Sequence, residues 1–232
     1  MFDSRRTIVN RWRAIRLTAP RRISRVLAAT LFPPRCCLCG FPGASLDLDL
    51  CEHCHADLPW ASPSPDTCVA LRYEDPVADL VRELKYHGVI AHARVLGTLL
   101  AEVARQRARP LPAMLIPVPL HRARWRERGF NQAEAIARYA GGMLGIPVAR
   151  RALVRVRDTP SQTGLDRDSR RENVRGAFGL VSSRARRQLL AADHVAVVDD
   201  VTTTGSTLVE VKRVLLAAGA RRVDLWAAAR AY

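Results

Sequence analysis

The sequence predicts an α/β protein: a mostly parallel sheet flanked by helices, preceded by a small zinc-ribbon-like module. Three observations carry this. From about residue 70 onward, short apolar runs alternate with segments of helical period. Five of the six cysteines crowd into residues 36–54. Near the end, an apolar run closes on two acids, crosses a hydroxyl-rich turn and enters another helical pattern. A chain of 232 residues, 48% hydrophobic, can bury a substantial core.

The first thirty-two residues form a basic extension. Arginines recur through it, Ile8, Trp12 and Ile15 fall at roughly helical spacing, and Pro20 interrupts any single helix. It reads as a solvated segment able to touch acidic lipid or nucleic acid, and not as a secretory signal, because arginines occupy the place of an apolar stretch. No apolar run approaches the length of a membrane span, so a soluble, cytoplasmic protein is expected. The formal charge of +15 points to anionic partners: nucleic acid, an acidic membrane surface or phosphorylated small molecules.

Residues 33–69 are rich in Cys and Pro. Cys36-x-x-Cys39 and Cys51-x-x-Cys54 are two thiolate pairs, each able to grip one side of a tetrahedral Zn²⁺ ion. Four protein ligands leave no open position, so the expected zinc is structural. Cys37 could replace a member of the first pair and His53 or His55 one of the second, while Cys68 reads as a small buried hydrophobe.

The main domain is expected over 70–232. Asp75 can cap a helix with Pro76 in its first position, and Val77, Leu80, Val81 and Leu84 recur at three- and four-residue steps. A second helix is expected over 91–107, and a buried strand over 113–119. Next comes a helix capped by Asn131, with Glu134 in the capping-box position. Short strands are expected at 152–156 and 177–181. A strand at 194–198, a helix at 206–218 ended by Gly219, and a strand at 222–228 complete the chain.

A parallel strand ending at Val198 delivers the next residues to the carboxyl edge of the sheet, where open α/β folds bind ligands. Thr202, Thr203, Thr204, Gly205, Ser206 and Thr207 supply five hydroxyls, a glycine able to take positive φ, and backbone N–H groups entering a helix. These suit a phosphate monoester. Asp199 and Asp200 would repel phosphate but accept hydrogen bonds from vicinal hydroxyls, so a ribose 5-phosphate meets both demands. The turn lacks the lysine of a Walker loop and the spaced glycines of a dinucleotide fingerprint.

This segment resembles the type I phosphoribosyltransferases and their phosphoribosyl pyrophosphate (PRPP) motif. More narrowly, "CCLCG", "CEHC", "ELKYHG", "IPVPLHRARWRERGFNQAEAIA", "LVRVRDTPSQTGLDRDSRRENVRGAF" and "VAVVDDVTTTGST" resemble the ComF family of competence and DNA-uptake proteins. The resemblance implies a phosphoribosyltransferase-like domain that binds Mg²⁺–PRPP, with Asp199 and Asp200 on the ribose hydroxyls and Thr202 to Thr207 on the 5-phosphate. Cations must then meet the pyrophosphate. His121, Arg122, Arg124, Arg126 and Arg128 follow the strand at 113–119, Lys85 can approach from the preceding helix, and Arg167, Arg170, Arg171 and Asn173 belong to a loop able to close over the site. No residue names the acceptor, so an active transferase of nucleotide metabolism and a PRPP sensor are both open. A rival reading makes the chain a single-stranded-DNA accessory, with Trp125 and Phe130 stacking bases among the arginines. The resemblance further implies work beside a DNA-translocating competence ATPase at the inner face of the membrane.

Overall fold

The computed structural model describes residues 35–43, 48–158 and 172–232. The basic extension and Arg167, Arg170 and Arg171 lie outside the described residues. Four strands, β1 (Thr67–Arg72), β2 (Met114–Pro117), β5 (His194–Thr202) and β6 (Arg222–Arg230), form one sheet in the order β1-β6-β5-β2. Every pairing in it is parallel. Both faces are covered, and that is why these strands read as continuous apolar runs rather than alternating ones.

Alternate residues of the strands feed two cores. Ala196, Val198, Trp226 and Ala228 face α2 (Val77–Arg82), α3 (Ile90–Gln106) and α5 (Gln132–Leu144), packing with Leu80, Val81, Leu96, Leu99, Leu100 and Ile136. Val195, Val197, Leu225 and Ala227 join Leu208, Val211 and Leu215 of α7 (Ser206–Ala217) and Leu189 of α6 (Ser183–Ala192). The predicted short strands exist as β3 (Leu153–Arg155) and β4 (Phe178–Leu180), but they pair antiparallel with each other in a ribbon of their own.

Three local expectations change. Asp75 does not cap α2: Pro76 occupies the cap position without a side-chain bond, and Asp75 meets Arg82 at 3.2 Å. α2 runs on into a π-helical turn, Glu83–His87, which stops at Gly88 in the left-handed conformation (φ 68°). Asn131 does cap α5, accepting from Glu134 N at 3.4 Å, whereas the Glu134 side chain closes no capping box and pairs with Arg150.

β1 was not expected. It begins inside the Cys- and Pro-rich stretch and pairs along its length with β6. Just before it, Ala61 N donates to Ala70 O (3.0 Å) and Arg72 N to Pro59 O (2.7 Å), so the cysteine segment is stitched to the sheet edge. Cys36, Leu50 and Leu58 share one apolar cluster with Leu96 and Leu99 of α3.

Candidate functional site

β5 lies between β6 and β2, and it stays in register with β6 through Asp199↔Ala227, Val201↔Ala229 and Thr202↔Arg230. It therefore runs four residues past the predicted end at Val198, and the twin acids are its last turn of pleat rather than a loop. Each carboxylate accepts from the next backbone N–H: Asp200 N donates to Asp199 Oδ1 (2.9 Å) and Val201 N to Asp200 Oδ1 (2.6 Å). Burial, reinforced by the charge of Asp200, pushes the Asp199 carboxyl up to about 7. Asp200 holds a counter-ion, with Lys85 Nζ 3.2 Å from its Oδ2. Burial works against the Lys85 charge, but Asp200 and Asp199 outweigh it and hold the ammonium above its ordinary range. The π-helical turn thus delivers Lys85 to the acids.

Beyond Thr202, which is buried and whose carbonyl accepts from Ala231 N at 2.9 Å, the turn consists of Thr203, Thr204 and Gly205. Gly205 takes φ 76°, a conformation that Cβ-bearing residues adopt at a cost, and this lets α7 start at Ser206. Gly205, in the cap position of α7, has no side chain to offer, and Thr204 Oγ1 accepts from Ser206 N at 3.4 Å. Ser206 is buried and shares a 2.7 Å hydrogen bond with Thr204 Oγ1, so the two hydroxyls order one another. Thr203 is exposed, and Thr204 and Thr207 are half-buried. Backbone N–H groups, hydroxyls and the positive end of a helix converge here, an arrangement that suits an anion.

The basic residues expected in a turn after β2 occupy a short helix instead, α4 (Arg122–Arg128). His121 caps it and lies 3.3 Å from Asp158. The helical period sorts the arginines: Arg124 and Arg128 are half-buried, while Arg122 and Arg126 are exposed. The Arg128 guanidinium sits 5.3 Å over the ring of Tyr86, the neighbour of Lys85. Trp125 is 54% exposed, so it does not cover a core edge; Phe130 does pack against the core. Asn173 lies at the described end of the loop, its carbonyl accepting from Arg157 at 3.1 Å.

Three residues at this edge were missed. Arg155 of β3 is held below the ordinary arginine range by burial and by Arg124, and its charge acts on Asp199. Only the pairing of β3 with β4 carries it there, and no local signal marks it. Glu210 of α7 accepts from Gly176 N (2.8 Å) and pairs with Arg213. Gln132 is buried at the start of α5.

The sulfurs of Cys36, Cys39, Cys51 and Cys54 lie within 4.8 Å of one another, a group that can hold a metal ion. Cys39 and Cys51 are 3.6 Å apart, close to the ~3.8 Å edge of a tetrahedron with 2.3 Å metal–sulfur bonds. Cys51 caps the helical turn α1 (Glu52–Ala56) by accepting from Cys54 N, and this sets the second pair. Burial raises the Cys36 thiol, but backbone N–H donors from Cys51, Cys39 and Leu38 outweigh it and bring it down to about 6. Cys37 stands outside the group, pushed up to about 12 by burial and by the charges of Cys36 and Asp49. His53 and His55 are outside it too, paired with Asp57 (3.3 Å) and Glu102 (3.0 Å). Cys68 is 1% exposed within β1. Among the described residues no helix is long and apolar enough to cross a membrane.

No family model matches the chain. Among solved structures, adenine phosphoribosyltransferase from Leishmania tarentolae aligns with a TM-score of 0.37 and 15% identity, over 71% of this chain and 78% of that one. DNA utilization protein YhgH of Salmonella typhi is 32% identical over 199 residues, 84% of this chain and 83% of that protein. Competence protein F of Haemophilus influenzae is 35% identical over 198 residues, 83% of this chain and 84% of that protein. Identity at this level, sustained over most of both chains, shows that the protein belongs to the ComF family.

Proposed function

We propose that this chain is a phosphoribosyltransferase-like protein that binds PRPP with Mg²⁺ and serves DNA uptake. One observation carries the reading: two carboxylates at the end of a central strand lead directly into a hydroxyl-lined turn and the start of a helix. The ribose hydroxyls would donate to Asp199 and Asp200, and the 5-phosphate would sit against Thr203, Thr204, Gly205, Ser206 and Thr207. The pyrophosphate would face Arg124, Arg128 and Arg155, with Lys85 changing partner from Asp200 as the sugar enters. Mg²⁺ would travel with the pyrophosphate, and the two acids are the hard oxygen donors in reach. In a transfer step the bond from C1 to the pyrophosphate oxygen breaks, the electron pair leaves with pyrophosphate, and an acceptor adds at C1. The chain's contribution would be position and charge.

Isothermal titration calorimetry of the protein with PRPP and Mg²⁺ tests this. Saturable binding is expected, weakened tenfold or more in Asp200→Ala; equal affinity in the variant would sink the assignment. Release of pyrophosphate in the presence of candidate acceptors separates an enzyme from a sensor.

Single-stranded DNA is a second ligand favoured by a specific observation: Arg122, Trp125 and Arg126 lie at i, i+3 and i+4 of α4, all exposed, whereas Arg124 and Arg128 are half-buried. Cations flanking an open indole can follow a phosphate backbone while stacking a base. Affinity for an oligonucleotide should fall steeply with salt and should drop in Trp125→Ala. Binding that ignores salt would discard this reading. Zn²⁺ is the ion proposed for the four thiolates, because it accepts a closed tetrahedral sulfur set without redox chemistry.

A further inference from the structure

Gln132 is the first residue of α5 and is 1% exposed, yet neither Oε1 nor Nε2 has a hydrogen-bond partner among the described residues. A buried amide with both ends unpaired is unfavourable, and a leucine of similar volume would fill the space without that cost. Among the other buried polar atoms without a well-aligned hydrogen bond, His92 Nδ1 and His194 Nε2 each face a carboxylate, Glu83 at 3.4 Å and Asp224 at 3.1 Å.

Its place in the fold is informative. The preceding residue, Asn131, donates from Nδ2 to Val118 O at 2.9 Å, and Val118 N donates to Val198 O at 2.9 Å, one residue before Asp199. Gln132 therefore stands at the carboxyl edge of the sheet, where the turn 118–121 leaves β2 for α4. Arg128 Nε, at the far end of α4, is likewise buried and without a hydrogen bond among the described residues. Arg128 and Gln132 thus bring two unfilled donors to the connection between α4 and α5.

We propose that Gln132 is a positioning residue for the anion site. Its amide is left unpaired in the ligand-free fold and is completed when the turn 118–121 settles around the pyrophosphate arm of a bound sugar phosphate, whereupon Gln132 holds that turn through its backbone N–H and C=O groups. This rests on the reading of the site as one for PRPP.

The test sets stability against affinity in Gln132→Leu and Gln132→Met, with melting temperature read without ligand and calorimetry read with Mg²⁺–PRPP and with inorganic pyrophosphate. Leucine should raise the melting temperature by about 2–4 °C, since the unpaired groups are gone. It should weaken both ligands tenfold or more. A residue with a merely structural role would lower both quantities together, and that result overturns the proposal. So does a variant that is more stable and binds as well as wild type, or one whose melting temperature falls because internal water already satisfies the amide. If Gln132→Leu does not fold, Gln132→Met, unbranched and of equal length, decides by the same criteria. Wild type that binds pyrophosphate but not PRPP sinks the ribose reading while leaving the pyrophosphate measurement to judge Gln132; wild type that binds neither sinks both.

Discussion

Asp199 and Asp200 are neighbours with different electrostatic situations. Asp200 has Lys85 at 3.2 Å, whereas Asp199, half-buried beside a second acid, is pushed up to about 7. The unfolded chain releases that proton near 3.8. Between these values the native state holds more protons than the unfolded state, so the contribution of Asp199 is favourable at low pH and is lost as pH rises through about 7. Asp199→Asn, which imitates the protonated acid, should therefore flatten the fall in melting temperature between pH 5 and pH 8. At pH 8 it should stabilise the ligand-free protein by on the order of 2 kcal/mol. A variant that keeps the wild-type pH slope would show that another group sets it. The same substitution replaces an acceptor by a mixed amide, so the gain in stability should be accompanied by weaker binding of PRPP, a conflict common at sites built for ligands.

Among the elements, α3 and α5 make the closest helix contact over the sheet, and Gly97 permits it. A Cβ at Gly97 would stand 2.6 Å from Ile136 O and 2.8 Å from Tyr139 Cβ, with backbone on one side and no room to yield. Gly97→Val should cost about 1–3 kcal/mol by forcing the helices apart. Thermal denaturation should show it, and an unchanged midpoint would mean that α5 can slide. Whether α5 is forced apart or slides, Asn131 and Gln132 would move, so PRPP affinity is expected to fall in either case. α7 couples the phosphate turn to a different neighbour. Glu210, held below the usual carboxylate range by Arg213 and Gly176 N, joins that helix to the chain entering β4. The helix that would face the phosphate is thereby fixed at its middle as well as through the Gly205 turn.

At the scale of the whole molecule, the cysteine module is part of the main core. Cys36, Leu50 and Leu58 pack with Leu96 and Leu99, while Asp49 pairs with Arg94 and His55 with Glu102. Withdrawing a metal from the four thiolates should therefore be felt beyond the module. Cys51→Ser, or chelation, should remove about one equivalent of zinc and lower the melting temperature by about 10 °C or more in a single transition. Loss of zinc with an unchanged melting temperature would confine the metal's effect to its own turns. α3 packs against both this module and the π-helical turn bearing Lys85, so the metal-depleted protein should also bind PRPP less tightly. Added zinc should restore both properties.

How much of this was legible depends on the range of the interactions involved. Helix periods over residues 77–84, 91–107 and 206–218, the Asn131 cap, the apolar strands and the two Cys-x-x-Cys pairs are set by neighbours within a few positions, and the chain alone announces them. So does the order of acids, hydroxyls and glycine from Asp199 to Thr207. β1 was hidden because "TCVALR" follows a Pro-rich stretch and becomes a strand only by pairing with a segment at the far end of the chain. The extension of β5 through the acids has the same origin, since β6 offers partners as far as Arg230. Glu134 could satisfy either a capping box or Arg150, and the fold brought Arg150 within reach. The chemistry of the edge was likewise decided in three dimensions. Lys85 on Asp200, Arg155 acting on Asp199 and the enclosure of Gln132 join groups far apart in sequence. The amino-acid sequence by itself determined which local parts exist. Tertiary structure alone decided which charges stand together and which polar groups lose water, because burial and Coulomb interaction depend on distance in space and not along the chain.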